Sequence, residues 1–285
     1  MELNTLLQYK PYSTARTEKR ALYAGLLTGL TQFHRERCPE YGRLLDALGC
    51  PAHMDCTVES TPMLPVSLFK ELELRSIPEG EVFKTITSSG TTGQRVSRIF
   101  LDGATSACQQ QALCQIMSDF LGERRLPFLV LDSRQVLRNR AMFSARGAGI
   151  LGFSIFGTRP CYALDEHMEL DLDGVRAFLE EHQGETIFLF GFTFIIWKHV
   201  VRALEERGER LDIPNGILVH GGGWKKLAGE AVSPGEFKAR VAAATGVERV
   251  SNYYGMAEQT GCIYMECPQG HLHASLWSDI VVRRG

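Results

Sequence analysis

Apolar residues recur at helical spacing along residues 14–37, where Leu22, Leu26, Leu30 and Phe33 share one side, and the pattern predicts an amphipathic helix. Ala104–Leu121 predicts a second, with Leu113, Ile116, Met117 and Phe120 on one face. Prolines punctuate the intervening TPMLPVSLFKELELRSIPEGEVFKTI, which predicts extended chain and short helical turns. Further on, PFLVLD, TIFLFGF, NGILVHG and ERVSNYYG are apolar runs of strand length, and Phe194–Arg207 and Pro234–Thr245 carry helical patterns between them. Strands alternating with helices predict an α/β fold built on a mostly parallel sheet with flanking helices. Sheets of this kind hold ligands beyond the carboxyl ends of their strands, so the loops that follow the strands are the candidate ligand positions.

Three loops carry candidate chemistry. The first, Thr87-Ser-Ser-Gly-Thr-Thr-Gly93, combines glycines that free backbone N–H groups for an anion with the hydroxyls of Ser88, Ser89, Thr91 and Thr92. Gly90 and Gly93 supply the turns. It is either a phosphate cradle or a solvated turn, and no Gly-Lys-Ser/Thr follows at the spacing of a Walker loop. The second, His220-Gly-Gly-Gly-Trp-Lys-Lys226, follows the apolar run Ile217–Val219. Gly221, Gly222 and Gly223 would let a flat ring lie against bare backbone, or they form a tight strand-to-helix turn. Lys225 and Lys226 are candidate cations for a phosphate or carboxylate, against the plain alternative of solvated lysines. The third, Asn252-Tyr-Tyr-Gly-Met-Ala-Glu258, places an aromatic pair beside Gly255 and Met256. Its Glu258 is a candidate hard-oxygen ligand for magnesium, or a solvated loop carboxylate.

Composition narrows the classes. The hydrophobic share of 44% with 22% charged residues is that of a globular chain, and 285 residues suit one large α/β unit with minor subdomains. A net charge of −2 without long basic runs gives no case for nucleic acid or an anionic membrane as partner. The leading MELNTLLQYKPYSTARTEKR lacks the basic and apolar regions of a signal peptide, and no apolar stretch is long enough to span a bilayer. The eight cysteines are therefore expected as reduced thiols in a cytoplasmic protein.

Each loop alone is weak, but their order is informative. SSGTTG, then GGGW, then YYGMAE resembles the acyl-adenylate-forming superfamily, which carries a Ser/Thr/Gly phosphate loop, a glycine-rich adenine loop and a Tyr-Gly-x-Thr-Glu segment in that order. PMLPVSLFKELEL, SSGTTGQRVSRIFLD, HGGGWKK, NYYGMAEQTG and IYMECPQGHLHASLWSDIVVRR resemble more narrowly the acyl-protein synthetases of bacterial luminescence, the LuxE type. Phenylacetate–CoA ligases are a step further away. The likeness runs from about Pro62 to the last residue.

The resemblance implies that residues 1–285 form the large adenylation core of that fold, with 1–80 as a helical and extended leading subdomain. It implies ATP and Mg2+ as cofactors. Ser88–Gly93 would wrap the phosphates, Gly221–Gly223 would flank the adenine, and Asn252, Tyr253, Tyr254, Gly255 and Met256 would line the nucleotide pocket. Glu258 would hold magnesium and, with Lys225, serve the reacting groups. The run Phe190–Ile196 would line an acyl pocket or simply form core. The implied reaction activates a carboxylic acid, a fatty acid in the LuxE type, as acyl-AMP for transfer to a protein cysteine. An acyl-reductase or acyltransferase would be the protein partner. An aryl- or acyl-CoA ligase and a non-catalytic nucleotide-binding remnant are the alternatives.

Two departures bear on this. Ala257 stands where the family usually has Thr. The family's small C-terminal domain, with its adenylation lysine or acyl-accepting cysteine, would follow Gly285 and is expected to be absent. These residues are accordingly expected to bind ATP and acyl-AMP, to adenylate slowly and to form no stable acyl-enzyme. Finally, Cys262, Cys267, His271 and His273 give a C-x4-C-x3-H-x-H pattern. It either holds zinc, as a Cys and a His of related ligases suggest, or consists of buried thiols and loop histidines, since its spacing departs from that of structural zinc sites.

Overall fold

In a computed structural model that describes residues 6–88, 95–138, 145–259 and 262–283, the N-terminal helical spacing is realised as the helix Arg16–Arg37. Its buried stripe differs from the predicted one. Lys19, Tyr23 and Thr31 are buried, whereas Leu30 and Phe33 are each 38% exposed. Hydrogen bonding explains the difference. The Lys19 ammonium donates to the carbonyls of Ser275, at 2.8 Å, and Ser278, and the Tyr23 hydroxyl donates to Leu276 O at 2.6 Å. Long amphipathic side chains thus cover the contact with their stems and satisfy it with their tips.

The chain divides into two compact units. The first comprises Met1–Ile116, Gly255–Ile263 and Ala274–Gly285. Besides the long helix it contains the helix Pro39–Ala47, the short helix Leu68–Glu71 in the proline-punctuated stretch, and an antiparallel hairpin of β1 (Lys84–Thr87) and β2 (Arg98–Leu101). The predicted helix at Ala104–Leu121 is observed as Gly103–Leu121, with Ile116 and Met117 fully buried. Among the described residues no helix is long and apolar enough to cross a membrane.

The second unit, Met117–Tyr254 with Tyr264–His273, holds a seven-stranded sheet. Its strands are β3 (Leu126–Ser133), β4 (Gly157–Leu164), β5 (Ile187–Phe192), β6 (Gly216–Gly221), β7 (Arg249–Tyr254), β8 (Tyr264–Glu266) and β9 (Leu272–His273), in the order β4-β3-β5-β6-β7-β8-β9. Pairings are parallel from β4 through β7 and antiparallel at β7–β8 and β8–β9. All residues of β5 and β6 are buried, as expected where helices cover both faces of a parallel sheet. The core is strongly aromatic. Phe128 stacks on Phe188 with centroids 4.8 Å apart, and Phe153 on Phe190 at 4.4 Å.

Local signals set the helices of this unit. Pro234–Thr245 starts where the Ser233 hydroxyl accepts from Glu236 N at 3.1 Å, with Pro234 in the first turn, and stops at Gly246. The helix after β5 runs Thr193–Ile195 in α geometry, Ile196–Val201 in π geometry and Arg202–Arg207 in α geometry again.

Candidate functional site

The sheet reverses its direction of growth at β3, because β4 pairs on one side of it and β5 on the other. Ligand crevices in parallel sheets open at such reversals, beyond the carboxyl ends of the strands. At the end of β3, Asp132 is fully buried and forked by Arg146, whose Nε lies 3.0 Å from Oδ2 and whose Nη2 meets Oδ1. Asp132 Oδ1 also accepts from Ser133 N at 2.7 Å, so this strand end carries a neutralised pair. The run Phe190–Ile196 is largely core: Phe190, Phe192, Thr193, Ile195 and Ile196 are all buried.

The glycine loop leaves the end of β6. A side chain at Gly221 is barred by contact, because a Cβ there would lie 2.5 Å from Tyr253 Cε1. Gly222 has φ +76°, a left-handed conformation that glycine adopts without penalty. Gly223 differs from both, since a Cβ there would meet nothing within 4 Å. The loop is thus backed by an aromatic wall and open at its far end.

The paired β7 supplies that wall. Tyr253 lies opposite Gly221 and packs on Phe153 at 5.0 Å and Phe190 at 6.1 Å. Burial pushes its phenol well above the usual range. Tyr254 points elsewhere: its ring is 49% exposed and stacks on Tyr264 at 6.1 Å. Asn252 N donates to Glu266 Oε2 at 2.8 Å, and the buried Glu266 pairs with Lys238 at 2.9 Å. The β7 end is therefore pinned by a carboxylate on β8 and an ammonium on the helix Pro234–Thr245.

A polar pair bridges β5 and β6. Thr193 follows β5 directly, and its hydroxyl lies 3.0 Å from Gly222 O and 3.2 Å from Gly221 O. Carbonyls only accept, so the hydroxyl donates to them and itself accepts from Nδ1–H of His220 at 2.9 Å. His220 is 5% exposed, faces the Phe237 ring at 4.6 Å, and its Nε2 is buried without a partner among the described residues. Burial, with a smaller effect from Lys238, lowers its pKa to about 3. The imidazole is neutral.

The structure thus brings Gly221, Gly222, Gly223, Asn252, Tyr253 and Tyr254 together within one unit. Met256 and Glu258 belong to the other unit, in the turn that opens at Gly255, as does Ser88. The Glu258 carboxylate is half-buried, and its oxygens are hard donors of the kind a divalent cation such as magnesium takes. Ser88 closes the base of the β1–β2 hairpin, its N donating to Ser97 O at 3.2 Å and its hydroxyl accepting from Ser97 N at 3.0 Å. Ser89, Gly90, Thr91, Thr92 and Gly93 lie outside the described residues. Lys225 starts the 3-10 turn Lys225–Glu230, and its side chain lies outside the description.

Among the described residues no three His, Cys, Asp or Glu side chains converge as a metal site. Cys262 is a buried thiol donating to Trp277 O at 3.4 Å, and His271 and His273 are exposed. Thr193, Glu266 and Lys238 do not stand out as site residues in the sequence. The signal for the first two is a lone polar residue inside an apolar run, FGFTFII and IYMEC.

The family model described as "Acyl-protein synthetase, LuxE" matches residues 2–284. The long-chain-fatty-acid–luciferin-component ligase of Vibrio harveyi is 22% identical over 233 residues, which cover 80% of this chain and 59% of that protein. Among solved structures, 2-hydroxyisobutyryl-CoA ligase with 2-HIB-AMP and CoA in its thioesterification state is similar, with TM-score 0.62 and 18% identity. That match covers 93% of this chain and 55% of the ligase. The open conformation of the same ligase matches with TM-score 0.60 and 16% identity, covering 90% of this chain and 57% of the other. The chain thus spans little more than half the length of these relatives. At these identities the structural likeness is one of fold.

Proposed function

The chain belongs to the LuxE acyl-protein synthetase family, and on that premise we propose that it activates a carboxylic acid as its acyl-adenylate at the expense of ATP. The acid class is a long-chain fatty acid, following the name of the Vibrio harveyi relative, and we assign a protein thiol as the eventual acceptor, following the acyl-protein product in the family's description. One observation carries the reading. At the carboxyl end of β6, three glycines fill three different conditions, and the third leaves its backbone open beside the aromatic wall of β7.

In this reading the adenine lies flat on Gly222–Gly223, and the half-exposed Tyr254 borders the nucleotide. Ser88–Gly93 take the phosphates through backbone N–H groups and hydroxyls. The Glu258 carboxylate would hold magnesium, whose charge would offset that of the phosphate oxygens. Lys225 is assigned to the carboxylate or α-phosphate. The substrate carboxylate attacks the α-phosphorus, the bond to the bridging oxygen breaks, and pyrophosphate leaves with that electron pair. Little covalent work falls to the protein, which positions the two reactants and balances charge.

The test is acid-dependent exchange of labelled pyrophosphate into ATP across a panel of acids. Long-chain acids should support exchange without coenzyme A, and Glu258→Ala should weaken magnesium-dependent ATP binding by roughly tenfold or more, with an unchanged melting temperature. Exchange with no acid overturns the reading. A thioester formed on coenzyme A instead of protein would replace the acceptor. Unchanged ATP affinity in Glu258→Ala would remove the role given to that carboxylate.

A further inference from the structure

We propose that Thr193 and His220 are positioning residues that lock the glycine loop in its ligand-ready shape through a two-step hydrogen-bond relay. The inference deepens the nucleotide-site reading and rests on it for its effect on ATP, though the lock itself is a property of the loop.

The relay has a fixed direction. Gly221 and Gly222 present carbonyl oxygens to Thr193 Oγ1 at 3.2 and 3.0 Å, so the one hydroxyl proton is committed to them. Oγ1 then has only its lone pairs for His220 Nδ1 at 2.9 Å, which fixes the imidazole as the Nδ1–H tautomer. The other nitrogen, Nε2, is left as an acceptor, buried and unpartnered among the described residues. An unpaired buried acceptor is unfavourable, and an apolar side chain against Phe237 would avoid it. The gain that offsets it lies at Nδ1. Histidine is present to make Thr193 donate, and Thr193 is present to hold two loop carbonyls.

The consequence falls on the loop. Gly222 sits at φ +76° and Gly223 has open space around it, so glycine alone leaves this backbone many conformations. Anchoring the carbonyls of Gly221 and Gly222 to the end of β5 selects one of them. It also ties the β6 loop to the end of β5, the strand that Thr193 follows. Burial keeps His220 neutral, so the donor at Nδ1 does not change its nature near neutral pH.

The experiment uses the full chain and compares wild type with Thr193→Val, Thr193→Ser, His220→Asn and His220→Gln. Asparagine carries its amide nitrogen near the position of Nδ1, glutamine near that of Nε2. Amide hydrogen exchange of residues 221–224 is measured without nucleotide, and ATP affinity by titration calorimetry. Thr193→Val and His220→Gln should speed exchange of this segment and weaken ATP, each roughly tenfold. Thr193→Ser and His220→Asn should stay near wild type in both. Unchanged exchange in Thr193→Val and His220→Gln overturns the lock, as does an equal loss of protection throughout the sheet in all four variants. A wild-type chain that binds no ATP but shows the expected exchange pattern supports the lock and overturns the nucleotide reading instead.

Discussion

A glycine at the end of β6 can be needed because a wall is too close, because the backbone turns left-handed, or because a ligand must approach. The neighbours of Gly221 and Gly223 separate these cases. Gly221→Ala drives a methyl into Tyr253, and overpacking of this kind costs about 1–3 kcal/mol. Gly223→Ala meets nothing, so its melting temperature should match wild type while ATP affinity falls. Thermal melts and titration calorimetry on the two variants check both halves, and equal ATP affinity in Gly223→Ala would remove that position from the site. His220 adds a dependence on pH. Its pKa is about 3 in the fold against an ordinary 6.5, so the unfolded chain binds a proton that the folded chain refuses. Stability from this group is complete above pH 6.5 and is lost as pH falls towards 3, with a limiting slope of about 1.4 kcal/mol per pH unit. Urea unfolding of His220→Asn should show a shallower acid limb between about pH 6 and pH 4 than wild type. Identical slopes would mean that His220 titrates normally.

Among the elements, the helix Pro234–Thr245 offers the cleanest test, because the Ser233 hydroxyl caps its first turn at Glu236 N. Ser233→Ala should lower stability by about 1 kcal/mol, read from the urea midpoint, through loss of the bond to Glu236 N. No shift would mean that water replaces the cap at no cost. The same helix is legible to the residue in the amino-acid pattern alone, and β3, β5, β6 and β7 are legible with it, because their apolar runs stand out between polar stretches. β4 is not legible. It carries Pro160 and Arg159 at the edge of the sheet, where proline is tolerated and apolar continuity is not required. The π stretch at Ile196–Val201 leaves no mark in composition. The helix Arg16–Arg37 is legible as a helix, but its buried stripe is not, since Lys19 and Tyr23 face inwards for their hydrogen bonds. For the candidate site, spacing of the glycines and tyrosines points to the ends of β6 and β7. It gives no hint that Tyr253 backs the loop while Tyr254 faces outwards, because both follow the same apolar strand and only the pleat separates them.

For the molecule as a whole, Lys19 joins two distant stretches of chain within the first unit. Lys19→Met keeps the stem but leaves the carbonyls of Ser275 and Ser278 unpaired, and the net cost should be about 2 kcal/mol in urea unfolding. A more stable variant would show that burying the ammonium outweighs its bonds. The same contact has a consequence for how the protein comes into being. Donor and acceptor stand 256 residues apart. At roughly 5–20 residues per second, a ribosome needs roughly 13–50 s after making the helix before it makes the carbonyls that helix requires. Strands β3 to β7 of the other unit are synthesised within that interval and have their pairing partners already in hand. The helix Arg16–Arg37 emerges before all of those strands, and Lys19 and Tyr23 meet their carbonyl partners only after them.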